Sequence, residues 1–238
     1  LTGFLNKDDY QSVMDELRLN NGAVWPIPIT LDVDNELAKN LKSEQHLTLK
    51  DKEGFLLAIL DIETIWKPDK IKESKKVFGT TDLRHPAVNY LMNYTKDWYV
   101  GGTLRGITLP KHYDFLALRH TPEEVKAKFK KLRWKKVVAF QTRNPMHRAH
   151  VEITQLAAKE VNANLLIHPV VGMTKPGDVD HYTRVRCYQK IIEKYPHGTA
   201  SLSLLPIAMR MAGPREALWH ALIRKNYGCT HFIVGRDH

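Results

Sequence analysis

One stretch carries most of the chemical content of this chain: Gln141-Thr142-Arg143-Asn144-Pro145-Met146-His147-Arg148-Ala149-His150. The planar guanidinium of Arg143 can hold two oxygens of a phosphate or sulfate at once. Imidazoles at His147 and His150 can donate to further oxygens, and Gln141 and Asn144 add amides. Neither Cys187 nor Cys229 stands in a nucleophile's context. The set suits a reaction that gathers anions and stabilises the charge developing between them, with no covalent step on the protein.

The spacing places these groups. An apolar run, Val137-Val138-Ala139-Phe140, precedes the stretch, and an amphipathic segment follows it. The stretch therefore reads as a strand–loop–helix junction, where α/β proteins hold nucleotide phosphates. Asn144-Pro145 predicts a helix over 145–161, with Asn144 as cap and Pro145 in the first position. The helix end would offer N–H groups and a dipole worth about 0.3–2 kcal/mol to an anion, so Arg143 must supply more. His147 and His150 would project roughly 60° apart on one side of that helix. Met146, Ala149, Ile153, Leu156 and Ala157 would form the buried stripe beside them. A zinc pair is disfavoured, because helical zinc histidines are spaced i, i+4 with a glutamate base. Here the spacing is i, i+3, with the cation Arg148 alongside. No dedicated metal ligands are expected.

A second loop, Gly235-Arg236-Asp237-His238, follows an apolar run at 231–234. Gly235 permits close backbone approach, and Arg236 and His238 are further phosphate donors. Lys175, Arg210 and Arg215 lie in other loops expected at the same sheet edge; they either add positive field or brace the loops. Trp219 and His220 read as packing residues. No P-loop, GxGxxG or GxSxG motif occurs.

Positioning these loops needs a sheet, and the second half of the chain supplies the pattern. Apolar strands at 136–141, 165–170, 200–205 and 231–234 alternate with helices at 145–161, 181–195 and 214–227. Continuous apolar strands joined by helices predict a parallel, doubly wound α/β sheet. The first half reads as β-rich, with strands at 25–33, 46–49, 55–65 and 98–109 and a short helix at 34–41. Thr121-Pro122-Glu123-Glu124 is a helix start with a capping box, and that helix runs to about Arg133. The expected organisation is an N-terminal β domain at 1–120, a linking helix at 121–135 and a nucleotide-binding domain at 136–238.

Composition narrows the class. The 238 residues carry 43% hydrophobic side chains and a net charge of +10. No apolar run approaches the ~18 residues of a membrane span, and no secretory signal opens the chain. Two scattered cysteines without CxxC spacing suit a reducing, cytoplasmic setting and buried thiols rather than a disulfide scaffold. Much of the basic excess lies in Lys126, Lys128, Lys130, Lys131, Arg133, Lys135 and Lys136. A solvated helix face is the favoured reading, ahead of a nucleic-acid patch, since no aromatic ladder or RNA-module signature accompanies it. The chain is expected to be a piece of a longer one, because it stops within a motif.

The combination resembles the ATP sulfurylase family. Gln141 through Asn144 with His147 and His150 is similar to that family's QxRN and HxxH motifs. Gly235 through His238 is similar to its second nucleotide loop, and the HRAH and GRDH forms look more like its monofunctional members. Leu1-Thr2-Gly3-Phe4-Leu5 and Ile27 through Asp32 look like its N-terminal domain. The resemblance implies a PUA-like β domain followed by a Rossmann-like, HxGH-type nucleotidyltransferase sheet, incomplete at its C-terminal end. It implies that ATP and sulfate give adenylyl sulfate and pyrophosphate, with Mg²⁺ and in-line attack on the α-phosphorus. It also implies the roles: Gln141 and Arg143 on sulfate, Thr142, Arg143 and Asn144 around the α-phosphate, His147 and His150 on the phosphates. Gly235, Arg236, Asp237 and His238 would hold ATP. A homo-oligomer is implied, with no membrane or nucleic-acid partner. The alternatives are an HxGH-type enzyme acting on another anion, or an inactive nucleic-acid-binding module.

Overall fold

The computed structural model describes residues 1–174 and 177–235. The chain forms two compact units: Leu1–His112 with Met211–Glu216, and Tyr113–Arg210 with Ala217–His238. The division after His112 falls earlier in the chain than the 120/121 position expected from the sequence, and the helix beginning at Pro122 belongs to the second unit.

The first unit is an antiparallel sheet of β1 (Gly3–Phe4), β2 (Leu31–Val33), β3 (His46–Lys50), β4 (Leu56–Trp66) and β5 (Trp98–Gly106). The order is β1-β5-β4-β3, with β2 also paired to β5. Val33, Ala38, Leu60, Ile62 and Val100 form its core. Gly102 sits where β5 meets β4: a Cβ there would lie 2.0 Å from the Asp61 carbonyl oxygen, so only glycine lets the strands close. This unit holds more helix than expected: α1 (Lys7–Glu16), α2 (Asn35–Asn40), α3 (Lys70–Glu73), which continues into a π-turn at Ser74–Phe78, and α4 (Pro86–Asn93). The signals were local. Asn6 caps α1 by accepting from the Asp9 N–H, and Tyr10, Val13 and Met14 are the buried i, i+3, i+4 stripe.

The second unit follows the expected alternation: α5 (Pro122–Lys131), β6 (Val137–Phe140), α6 (Arg148–Glu160), β7 (Asn164–Ile167), α7 (His181–Ile192), β8 (Ala200–Leu202), α8 (Pro214–Asn226) and β9 (His231–Ile233). The predicted capping box closes α5: Thr121 N donates to Glu124 Oε2 at 2.7 Å, and Glu124 N donates to Thr121 Oγ1 at 3.3 Å. Val125 and Phe129 face inward, Lys126, Lys130 and Lys131 are exposed and Lys128 is partly buried, while Arg133, Lys135 and Lys136 follow the end of the helix. The strands pair in parallel in the order β8-β7-β6-β9. The period of two along β6 sends Val137 and Ala139 into one core with Val125, Phe129 and Tyr227. Val138 enters the other, with Met146, Val185 and Tyr188. Two apolar cores, one on each face, are what a doubly wound sheet requires.

Candidate active site

The strand order locates the site. Successive strands step from β6 through β7 to β8, and the chain then returns to place β9 on the other side of β6. Phe140 pairs with Ile233, so the loops leaving β6 and β9 emerge side by side at the switch point. That is the crevice where open α/β sheets bind ligands. The first loop carries Gln141 to His147; Gly235 opens the second. Arg236, Asp237 and His238 lie outside the described residues, as does Lys175.

The loop is built from its own side chains. Thr142 is buried, and its hydroxyl accepts from Asn144 N at 3.1 Å and donates to Asn144 O at 2.9 Å. These bonds correct the sequence expectation that Asn144 caps the helix and Pro145 begins it. A hydroxyl two residues upstream captures the Asn144 main chain, and α6 starts only at Arg148, with His147 as the cap residue. The Asn144 side chain is exposed.

His147 and His150 do come together, their ring centroids 4.1 Å apart. His147 N–H donates to His150 Nδ1 at 3.3 Å. That contact leaves the His150 proton on Nε2, facing away from the helix backbone, an assignment made from the hydrogen bond. Burial, then the neighbouring His147, hold the His150 imidazole below the ordinary histidine range. It is a neutral N–H donor at pH 7.

The expected stripe on α6 needs correction. Ile153 and Leu156 are 53% and 67% exposed, whereas Thr154 is buried. Thr154 tolerates burial because its hydroxyl bonds the His150 and Val151 carbonyls and the Tyr195 hydroxyl. Starting the helix three residues later changes which positions face the sheet: Met146 remains buried outside the helix, and Val151 packs on the core.

Arg143 has a partner that sequence reasoning did not name. Its Nη1 lies 2.6 Å from both oxygens of Asp178, whose side chain is nearly buried. Nε and Nη2 make no hydrogen bond among the described residues. Gln141 Nε2 donates to Met209 Sδ at 3.3 Å, a weak acceptor. No hydrogen bond joins Arg143 to either histidine among the described residues. Two residues of α7, missed in the sequence, hold the loop: Arg184 Nη1 donates to Arg143 O at 2.9 Å, and Tyr188 OH donates to Asn144 O at 2.8 Å. Their signal was present in the i, i+4 spacing of a polar pair within a buried helix face. Of the bracing and field roles expected for Arg215, the hydrogen bonds show bracing: it donates to the carbonyls of Val13, Met14 and Pro26 in the first unit. Cys187 and Cys229 are free thiols, and burial pushes Cys229 up to about 12. No described helix is long and apolar enough to cross a membrane.

The fold and the loop together define a nucleotidyltransferase-like α/β domain preceded by a PUA-like β domain. The PUA-like family model matches residues 1–109, and the ATP-sulfurylase model matches residues 117–238. The chain belongs to the ATP-sulfurylase family. It is 58% identical over 238 residues to the sulfate adenylyltransferase of Saccharomyces cerevisiae and 59% identical to that of Kluyveromyces lactis, matching all of this chain and 46% and 47% of theirs. The Schizosaccharomyces pombe sulfate adenylyltransferase is 56% identical over 240 residues, 49% of its length. The chain thus spans about half the length of the curated relatives it matches. Among solved structures, one titled a hexameric APS kinase from Thiobacillus denitrificans superposes with a TM-score of 0.81 at 34% identity, covering all of this chain and 43% of that one.

Proposed function

We propose that this chain carries the adenylylation site of a sulfate adenylyltransferase. In the reaction, a sulfate oxygen attacks the α-phosphorus of ATP in line. A new S–O–P linkage forms, the α–β bridging P–O bond breaks, and pyrophosphate leaves with the electron pair. Sulfate is already an anion, so no general base is needed, and the difficulty lies in holding two anions together. Gln141 and Arg143 take sulfate; Thr142, Arg143 and Asn144 surround the α-phosphate. His147 and His150 donate to the phosphates, and the loop from Gly235 through Arg236, Asp237 and His238 holds ATP. The observation that carries this reading is the switch-point loop of β6, where Arg143 and an adjoining histidine pair rise beside β9.

Mg²⁺ bound with ATP would neutralise charge on its phosphates. Asp178, the carboxylate beside Arg143, is engaged by that residue, which suits a cation held by triphosphate oxygens and water. The relatives' names support sulfate as the acceptor, and the hexameric neighbour supports a homo-oligomer. The test is exchange of labelled pyrophosphate into ATP, measured on this chain and on the polypeptide spanning the relatives' length. We expect exchange that requires sulfate. Exchange indifferent to sulfate would overturn the choice of acceptor.

A further inference from the structure

We propose that Arg184 and Tyr188 of α7 are positioning residues that set the aim of Arg143 and Asn144 by gripping their main chain. The inference rests on the functional reading above and extends it to two residues that touch no reacting atom.

Arg184 is 2% exposed, and its Nη1 donates to two carbonyl oxygens, Arg143 O at 2.9 Å and Val170 O at 3.0 Å. Tyr188, one helical turn on, is fully buried and donates to Asn144 O at 2.8 Å. Burial pushes the Tyr188 phenol up to about 12, so it stays a donor at neutral pH. Together with Thr142, these two residues fix the loop from below. The carbonyl of Arg143 is held by Arg184, the N–H of Asn144 by Thr142 Oγ1, and the carbonyl of Asn144 by both Thr142 and Tyr188. With both consecutive peptide planes fixed, the Arg143 and Asn144 side chains cannot turn with the backbone.

The charge of Arg184 points the same way. A buried guanidinium ordinarily has a carboxylate beside it, because an unpaired buried charge is costly. Among the described residues no Asp or Glu forms an ion pair with Arg184, and its Nε has no partner. Its charge is met by carbonyl dipoles of the β6 loop and the segment after β7 and by the Tyr188 hydroxyl, none of which carries a negative charge. A polyanion above the loop would supply the missing countercharge at short range, in surroundings that screen it weakly. Arg184 therefore serves both to orient the loop and to favour an anion over it.

The test uses the full-length enzyme and four variants: Arg184→Met, Arg184→Lys, Tyr188→Phe and the double variant Arg143→Ala/Arg184→Met. Each is read by sulfate-dependent pyrophosphate–ATP exchange and by calorimetric titration with inorganic pyrophosphate. We expect Arg184→Met to lose about 100-fold in exchange, the scale of a displaced catalytic group. Pyrophosphate binding should weaken about tenfold, the scale of one charge-assisted contact. Arg184→Lys should recover most of both, since it keeps the charge and one carbonyl contact. Tyr188→Phe should lose less than Arg184→Met, because Thr142 still holds Asn144 O. The double variant should lie within about threefold of Arg143→Ala alone, since coupled residues fail to add. Additive losses, or wild-type exchange and binding in Arg184→Met, would overturn the proposal. If Arg184→Met does not fold, Arg184→Lys combined with Tyr188→Phe, with and without Arg143→Ala, decides by the same criterion. A wild-type enzyme whose exchange ignores sulfate would instead overturn the functional reading, and pyrophosphate titration would still decide the role of Arg184.

Discussion

Arg143 Nη1 sits 2.6 Å from both carboxylate oxygens of Asp178, leaving Nε and Nη2 of the guanidinium to face elsewhere. The carboxylate fixes one corner of the fork and so determines which N–H groups can meet an anion. In Asp178→Ala the side chain of Arg143 regains its rotamers. We expect turnover to fall about 10–100-fold, as for a misplaced catalytic group. A faster rate in Asp178→Ala would show that the carboxylate competes with the substrate for Arg143.

The Thr142 hydroxyl is the keystone of the loop, because it both donates to and accepts from the Asn144 main chain. Thr142→Val keeps the shape and removes both bonds inside a buried site. The cost expected is about 1–3 kcal/mol of stability, that of leaving buried polar groups unsatisfied. Chemical denaturation checks it, and a midpoint within error of wild type would contradict the assigned bonds.

Much of the second unit was legible in the sequence. Period-two burial along β6 and the Thr121 capping box both act locally, so neighbouring residue types suffice to find them. The start of α6 was not legible. Asn144-Pro145 is a strong local helix signal, yet Thr142 and Tyr188 use the Asn144 main chain first, and Tyr188 arrives from 44 residues away. The burial of Thr154 in place of Ile153 follows from that shift. In the first unit α1 was missed, although the cap Asn6 and the buried stripe Tyr10, Val13 and Met14 announce it. Among the site residues, the types at Arg143, His147 and His150 were readable. Asp178 as the partner of Arg143 was not, because it lies 35 residues further along the chain.

The His147–His150 contact predicts a pH dependence for the proposed exchange reaction. Protonating His150 places a hydrogen on Nδ1, where the His147 N–H now donates, and sets a positive charge on a ring whose centroid is 4.1 Å from that of His147. His150 lies below the ordinary value of 6.5, so the neutral form persists through neutrality and is lost only at more acid pH. We expect His150→Asn, an amide that can retain one donor, to flatten the acid limb of the exchange profile and to lower its plateau by about 10²-fold. An unchanged acid limb would remove His150 from that limb.

His168 provides a stability counterpart. Its ring is fully buried, neither nitrogen has a partner, and burial followed by Arg224 holds it well below 6.5. The unfolded chain binds a proton near pH 6.5 that the folded chain refuses. The unfolded state thus carries more protons below that pH, and stability is lost as pH falls from about 6.5 toward the depressed folded value. As pH falls below about 6.5, the thermal midpoint of wild type should drop more steeply than that of His168→Leu. Parallel slopes would exclude His168 as the source.

The most direct test of the adenylylation reading is sulfate-dependent pyrophosphate–ATP exchange in the full-length enzyme, wild type beside Arg143→Ala and Arg143→Lys. Loss of one transition-state donor is worth about 10²–10³-fold. We expect at least that loss in Arg143→Ala, and little recovery in Arg143→Lys, because a point charge does not reproduce the guanidinium fork. Near wild-type exchange in Arg143→Ala, from a protein with an unchanged melting temperature, would contradict the assignment of Arg143 and the site built around it.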